Sequence, residues 1–393
     1  MPVRIDGTGS VSGLTNYTAE NFTTTNLTAT DATVTGDITN PSFDALELAP
    51  RNLIINGAMQ VWQRSTSSGV NGYTSVDRFK YSISNGTFNN EKIDLTGGEP
   101  FTEGFRAAYR MTNTTTGTAG NAYRLIEHYI EGNDINGSGW NWASASGNMT
   151  LSFWVRSSVT QDFMCYLNTE SGTTKSFPVP FSCVANTWTK VTKTIPGDVG
   201  IAVPNTNARG LAVVWAPYWG TDYTTAAGPT LDQWNNWDGG NRAQDYGNGA
   251  GTWGGTTGAT FDLTGVQLTA TDTPIAFQHE DYATTLRKCQ RYFFTVRGDI
   301  FTKFATVYTN NSSGCYLAMA LPVDLRDSPT LTFNNIALVR SGQNMSAGDI
   351  NSTNFSGAHI SFDFGSAYGI PNSSSDLAQL RETYGTFNLD SEL

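Results

Sequence analysis

The stretch Leu151-Ser-Phe-Trp-Val-Arg156 decides the fold class, because in an extended strand it places Leu151, Phe153 and Val155 on one face. Turns rich in Gly, Asn and Ser separate it from similar segments, and no long helical period intervenes. The pattern predicts an all-β protein whose central part is an antiparallel β-sandwich, with a jelly roll as the expected form. The similar segments are Trp188–Ile195, Gly210–Trp215 and Phe261–Leu268.

The composition favours strands and turns and excludes some partners. Charged residues make up 15% of the 393 residues, against about 25% in typical globular domains. The net charge of −11 would repel a phosphate backbone, so we expect neither nucleic acid nor an anionic membrane as a partner. No stretch approaches the roughly 20 apolar residues of a membrane span. The start of the chain lacks the apolar region of a signal peptide, so we expect synthesis in a cytoplasm.

The chain divides into three predicted units, an arm at 1–50, a β-sandwich at 51–285 and a smaller β-rich domain at 286–393. In the arm, residues 16–40 form five consecutive pentads with an apolar residue followed by Thr in the first four. A ribbon this narrow cannot bury its apolar stripe alone, so the repeat implies either a coil of stacked rungs or lateral association of several chains. We expect three chains that wind together into a short stalk. The alternative is a disordered, Thr-rich linker. The apolar residues are Tyr17, Phe22, Leu27 and Ala32.

The C-terminal unit should combine strands with two short helices. Tyr282, Leu286, Cys289 and Phe293 recur at steps of four, three and four residues, which predicts a helix that joins the last two units. The alternation at 331–338 predicts a strand. A second helix is expected at 376–384, with Ser before it and Gly behind it.

Two widely separated motifs stand out in the chain. One runs from Arg51 to Arg64 and continues at 73–79, and the other runs from Thr264 to Phe277 and continues at 280–293. Both resemble a module of tail fibres and related appendage proteins of tailed bacteriophages. The second motif departs from the family pattern at Thr269, where an acidic residue is usual. That departure affects one structural pairing rather than the resemblance. The segment at 321–330 is similar to one that often follows in such fibres.

The resemblance implies a jelly roll like that of carbohydrate-binding modules, mounted on a virion as a homotrimer. It further implies that the arm attaches to other tail or baseplate proteins and that a host surface polysaccharide is the ligand. The alternatives are a non-adhesive virion protein, such as a head-decorating or baseplate-linking protein, and a tailspike that depolymerises polysaccharide.

The densest aromatic region, 215–253, is the candidate glycan site. Aromatic rings stack on the C–H faces of sugars, while carboxylates and amides pair with sugar hydroxyls. Packing of the same rings in a sandwich or subunit contact is the alternative. We expect Trp215 to face the core because it ends an apolar run. The candidate contacts are Tyr218, Trp219, Tyr223, Asp232, Trp234, Trp237 and Asp238.

Two weaker candidate sites accompany this region. Trp140 and Trp142 would share one strand face, a spacing that fits ligand contact or simple packing. A structural calcium ion is an alternative use of the oxygen-rich loop, although no twelve-residue calcium-loop spacing is present. Its ligands would come from Asp232, Asn235, Asn236, Asp238, Asn241 and Asp245.

The sequence carries no visible catalytic signature, so we expect a protein that is not an enzyme and has no cofactor. Glycoside hydrolysis needs two carboxylates about 5–9 Å apart, and only Asp232 with Asp238, or Glu127 with Glu131, can be nominated. The three histidines are scattered, and no Gly-x-Ser-x-Gly motif occurs. The four cysteines lack a CxxC pair, so we expect buried thiols instead of a zinc site or disulfides.

Overall fold

The structure is a computed structural model that describes residues 4–5, 11–12, 51–245, 251–297, 303–308, 315–334, 336–338, 350–356, 359–364, 375–380 and 386–393. The chain divides into the units Met1–Ala49 and Pro50–Leu393. In the first unit, strands β1 (Arg4–Ile5) and β2 (Val11–Ser12) pair antiparallel. The pentads at 16–40 lie outside the described residues.

The second unit begins with a β-sandwich whose strands come from 67–269. These are β3 (Ser67–Ser68), β4 (Phe79–Ser84), β5 (Thr87–Asp94), β6 (Ala107–Thr115), β7 (Tyr123–Glu131), β8 (Asn148–Ser157), β9 (Gln161–Thr169), β10 (Lys175–Cys183), β11 (Thr189–Pro196), β12 (Arg209–Trp219), β13 (Thr224–Thr225), β14 (Asn235–Asn236), β15 (Ala243–Gln244) and β16 (Thr260–Thr269). Its short helices are α1 (Glu99–Thr102) and α2 (Gly132–Asn136).

Two six-stranded sheets form the layers of the sandwich. The front sheet has the order β14-β10-β9-β12-β7-β4, and the back sheet has the order β11-β8-β16-β6-β5-β3. All neighbouring strands within them run antiparallel. Neighbours in the sheets are often distant in sequence, as in a jelly roll. The predicted all-β, jelly-roll-like fold is confirmed.

The core between the sheets comes from the alternating segments that predicted it. Leu151, Phe153 and Val155 are fully buried, and so is Trp215, as expected. The Phe153 ring meets the Trp215 ring edge-on at 5.7 Å between centroids. Burial of each such side chain contributes about 1.5–3 kcal/mol, so this interior dominates the stability of the unit.

The two motifs of the family resemblance meet beside the C-terminal half of β16, a central strand of the back sheet. The backbone N–H of Leu53 donates to the Leu268 carbonyl at 2.9 Å, and the N–H of Val266 donates to the Gly57 carbonyl at 3.0 Å. Gly265 has a φ of 62° at a bulge in β16, where a Cβ atom would lie 2.8 Å from the Phe105 ring. Contacts between the two motifs therefore close the fold.

The predicted joining helix is present as α3 (Tyr282–Gln290), capped by the Asp281 carboxylate, which accepts from the Thr284 N–H at 3.0 Å. Cys289 lies on its buried side, whereas Tyr282 is exposed. Phe293, the last residue of the predicted helical pattern, lies in a strand instead. The four cysteines are free and buried, as predicted. Among the described residues, no helix is both long and apolar enough to cross a membrane.

The remaining strands form two further sheets with the orders β17-β25-β20 and β21-β24-β18-β19-β23-β22. They share a second core that includes Val307, Leu317, Phe362 and Phe387. The strands are β17 (Phe293–Arg297), β18 (Lys303–Tyr308), β19 (Cys315–Ala320), β20 (Thr330–Asn334), β21 (Ile336–Leu338), β22 (Ile350–Ser356), β23 (His359–Phe364), β24 (Ser375–Leu380) and β25 (Thr386–Asp390). The strand predicted at 331–338 is thus present as β20 and β21.

The second predicted helix, at 376–384, is wrong in its described part. Residues 375–380 form β24, which pairs with β18 on one side and β21 on the other. Hydrogen-bonding partners on both sides satisfy the strand backbone, and this long-range effect overrides a short helical pattern. Residues 381–385 lie outside the described residues.

A group of charges, the C-terminal ion cluster, joins the last residues to the sandwich, and all its members except Asp390 are at least nine-tenths buried. It consists of Arg64, Asp77, Arg78, Asp390 and Glu392. The Arg64 guanidinium lies 3.1 Å from Asp390, 3.3 Å from Glu392 and 3.5 Å from Asp77. Arg78 is fully buried and pairs with Glu392. Each buried cation of the cluster therefore has an acidic partner.

Candidate functional site

The aromatic-rich region leaves the end of β12 and folds back over the outer face of the front sheet. Its strand β14 extends this sheet, because Asn235 and Asn236 pair with Ser176 and Lys175 of β10. Its strands β13 and β15 pair with each other in parallel. The region is thus anchored to a rigid sheet at several points, as a binding loop requires.

A polar cleft lies between this region and the front sheet, with about 550 Å³ of empty space that opens to solvent. The sheet contributes Tyr166, Ser176 and Pro178, whose neighbours Cys165 and Phe177 belong to the core. Alternation along β9 and β10 explains this arrangement, since successive side chains point to opposite faces. The region contributes Pro229, Thr230, Asn235, Asn236, Asp238, Asn241 and Arg242.

Asp238 is the predicted residue that lines the cleft, and Trp237 lies beside it, next to Arg242. The Trp237 side chain is 53% exposed, and its ring centroid lies 5.4 Å from the guanidinium carbon of Arg242. Asp238 lines the cleft, and its carboxylate accepts from the Gly240 N–H at 2.9 Å. An exposed indole beside fixed carboxylate and amide groups matches the composition expected of a sugar site.

Trp219 and Tyr223 form a half-buried aromatic group next to the cleft. Their ring centroids are 5.0 Å apart, and both rings also contact Tyr123. The indole N–H of Trp219 donates to the Tyr166 hydroxyl at 3.1 Å. Through Tyr166, this group supports the wall of the cleft.

Tyr218 and Trp234 are in the core, so their rings cannot stack on a ligand in this structure. Tyr218 is 4% exposed because a bulge between Trp215 and Tyr218 turns both side chains inward. Trp234 is 7% exposed, and its indole N–H donates to the Pro196 carbonyl at 2.7 Å. The rings of Tyr218 and Trp234 therefore pack in the core, which was the alternative to ligand contact for this aromatic region.

Several weaker candidates also have structural partners. The Asp232 carboxylate contacts Lys193 and does not line the cleft. Trp140 is buried, with its indole N–H donating to the Gly147 carbonyl at 3.2 Å, and Trp142 packs against the core. Tyr246, in the same aromatic region, lies outside the described residues.

The calcium ligands proposed from the sequence do not come together as an acidic group. In the described part of the chain, no three His, Cys, Asp or Glu side chains are close enough to hold a metal ion. The Asn241 side-chain oxygen already accepts from the Thr225 hydroxyl at 2.7 Å. The Asn235 amide donates to the Thr230 carbonyl at 2.8 Å. These bonds shape the loop and hold its polar groups at the cleft.

The carboxylates nominated for hydrolysis also have structural contacts. Glu131 accepts from two nitrogens of Arg291, each at 2.8 Å. Burial alone would raise the pKa of Glu131, but the hydrogen bonds from Arg291 and Tyr292 lower it. Glu127 accepts from the Tyr129 hydroxyl and lies 3.5 Å from the Lys80 amine. These contacts hold both carboxylates against the front sheet, outside the cleft.

Sequence reasoning missed Arg242, which is 4% exposed and lies 4.4 Å from the centroid of the Tyr166 ring. Its Nη2 donates to Asn168 Oδ1 and Ser176 Oγ, both at 3.4 Å. Burial lowers its pKa, and the charges of Tyr166 and Asp238 oppose that effect only in part. A signal did exist, since Arg242 is the only Lys or Arg between Arg209 and Arg287.

Fold and cleft together define an antiparallel, jelly-roll-like β-sandwich protein with a polar, aromatic-bordered cleft on one sheet. Comparison with known proteins does not assign it to a family. No family model matches the chain, and no curated protein matches it significantly.

Solved structures to which this chain is similar include a tailspike protein 4 enzymatically active domain from bacteriophage CBA120, at 9% identity and a TM-score of 0.30 over 56% of this chain. The match spans only 21% of that tailspike chain. A family 11 carbohydrate-binding module from Clostridium thermocellum matches 54% of this chain and 98% of its own, at 8% identity and a TM-score of 0.26. A putative sugar binding protein from Bacteroides thetaiotaomicron matches 56% of this chain and 100% of its own, at 13% identity and a TM-score of 0.28. At these scores, the fold assignment rests on the strand pairings alone.

Proposed function

We propose that this protein is a receptor-binding appendage of a tailed bacteriophage that adheres to a host surface polysaccharide without cleaving it. The observation that carries the proposal is the exposed Trp237 beside a cleft lined by Asp238, Arg242 and several amides. An exposed aromatic ring next to fixed polar groups is the arrangement that binds both faces and edges of a sugar.

The cleft favours binding over catalysis. Asp238 is the only carboxylate among the described residues that line it, whereas glycoside hydrolysis requires a pair. Asn235, Asn236 and Asn241 supply donors and acceptors that suit hydroxyl groups. We therefore infer adhesion as the function and assign no catalytic role to these residues.

The location on a virion is supported by the sequence motifs at 51–64 and 264–277, which resemble those of phage fibres. We infer that the arm at 1–50 binds other tail or baseplate proteins and that three chains assemble into one appendage. Linked sites can raise avidity by roughly 10²–10⁴ without any new contact. A modest single cleft would then be sufficient for attachment to a cell.

Binding of the labelled protein to host cells and to a glycan array tests this function. Trp237→Ala should weaken binding about tenfold or more, because it removes the exposed stacking surface. Tyr282→Ala is a matched control, since Tyr282 is 54% exposed but lies on α3. Both variants should keep the thermal unfolding of the parent.

Equal losses in the two variants would contradict the cleft as the binding site. A parent protein that binds neither host cells nor any arrayed glycan would contradict adhesion itself. It would then favour a non-adhesive structural role in the virion.

A further inference from the structure

We propose that the cleft selects a sugar that carries a carboxylate and that Arg242 binds this carboxylate. The proposal rests on the glycan-binding function proposed above and names the chemical class of the ligand. It makes Arg242 the residue that determines specificity, beside Trp237 as the stacking surface.

The first argument is that Arg242 is a buried cation without an acidic partner. Among the described residues, no Asp or Glu forms an ion pair with its guanidinium, and its two side-chain hydrogen bonds are both long, at 3.4 Å. Arg124 is also buried without an acid, and its Nε and Nη2 lack hydrogen-bond partners among the described residues. Its Nη1 nevertheless donates to the Ser84 and Tyr123 carbonyls at 2.7 and 2.9 Å, and it does not line the cleft. A cation removed from water is costly unless it is paired and hydrogen-bonded. The buried charge of Arg242 therefore lacks a counter-charge, which a bound anion would supply.

The second argument is geometric. The Arg242 backbone is fixed at both ends of the residue, because its N–H donates to the Tyr223 carbonyl at 2.6 Å and its carbonyl accepts from the Tyr166 hydroxyl. Its guanidinium contacts the rings of Tyr166 and Trp237. Within the described residues, Nε and Nη1 have no hydrogen-bond partner, and the side chain lines the cleft. A fixed planar guanidinium with free N–H groups suits two parallel hydrogen bonds to a carboxylate.

The third argument concerns the surrounding charge. The protein carries a net charge of −11, so its overall field repels an acidic polymer instead of attracting it nonspecifically. Asp238 is the acid whose charge acts on Arg242, and it stands at the cleft without reaching ion-pair distance. Binding of a carboxylate would therefore depend on attraction by Arg242 and would be weakened by repulsion from Asp238.

The test compares a glucose tetramer with a glucuronic acid tetramer of the same linkage, by calorimetry on the full-length protein. The parent should bind the acidic tetramer about tenfold more tightly, the gain expected from charge-assisted hydrogen bonds. Arg242→Gln should abolish this preference, because it weakens binding of the acidic tetramer more than binding of the neutral one. Arg242→Lys, which keeps the charge but not the planar group, should retain part of the preference for the acidic tetramer. Asp238→Asn should increase the preference for the acidic tetramer, because it removes a repelling charge.

Equal binding of the two tetramers by the parent would overturn the inference and leave the glycan-binding function standing. A preference that survives in a folded Arg242→Gln variant would also overturn it. If the array and both tetramers give no binding, the proposed function and the inference fail together.

Discussion

The C-terminal ion cluster and the polar cleft each bury an arginine, but only the cluster surrounds it with acids. Arg78 pairs with Glu392, and Arg64 lies within 3.5 Å of three carboxylates. Arg242 has aromatic rings and two long hydrogen bonds to uncharged oxygens. The first arrangement neutralises its cations with acids of the protein itself, whereas the second holds a cation with no acid at ion-pair distance among the described residues. We infer that the cluster serves stability and that the cleft serves recognition.

The largest expected effect follows from breaking the cluster. Arg78→Met should lower the free energy of unfolding by about 3–5 kcal/mol, because it leaves buried Glu392 with an incomplete partner set. Urea unfolding measures this change. Lys190→Met is the control, since Lys190 and Glu103 form a partly exposed pair expected to contribute less than about 1 kcal/mol.

Similar stability of the two variants would mean that the C-terminal residues do not depend on the cluster. Glycan binding by folded Arg78→Met should match the parent, because the cluster does not line the cleft.

A smaller effect should appear in the pH dependence of stability. Burial raises the pKa of Asp77 to about 6, although Arg64 and Gln63 act in the opposite direction. The folded state then holds a proton that the unfolded state releases near pH 4. The stabilisation from Asp77 is therefore complete below about pH 4 and is lost as the pH rises through about 6.

Urea unfolding at several pH values between 4 and 7 tests this dependence. In Asp77→Asn, which cannot titrate, the free energy of unfolding should decline less between pH 4 and 7. An unchanged slope in the variant would assign the decline to another group.

The same contrast shows how far sequence reasoning extends. Leu151, Phe153 and Val155 were predictable because the faces of a strand depend on neighbouring residues alone. The region 375–380 was not predictable, since its strand depends on pairing with β18 and β21. Local patterns therefore predicted the sandwich better than the C-terminal sheet.

The cleft was predictable only in part for the same reason. Composition indicated Trp237 and Asp238, but strict alternation could not anticipate the bulge in β12 that turns Tyr218 inward. Tyr166 and Arg242 are far apart in sequence and meet only because the loop folds back over β9. The sequence signal at Arg242, a lone base in an acidic loop, becomes meaningful once this contact is known.

The smallest change in stability is expected when the charge of Arg242 is removed. Arg242→Met keeps the length and much of the apolar contact of the side chain but removes its charge. We expect the free energy of unfolding to change by less than about 1 kcal/mol, because loss of the ring and amide contacts is offset by removal of a buried unpaired cation. Urea unfolding should thus separate this variant clearly from Arg78→Met. A loss comparable to that of Arg78→Met would show that the protein itself already satisfies Arg242, and the cleft would then lose its distinction from the cluster.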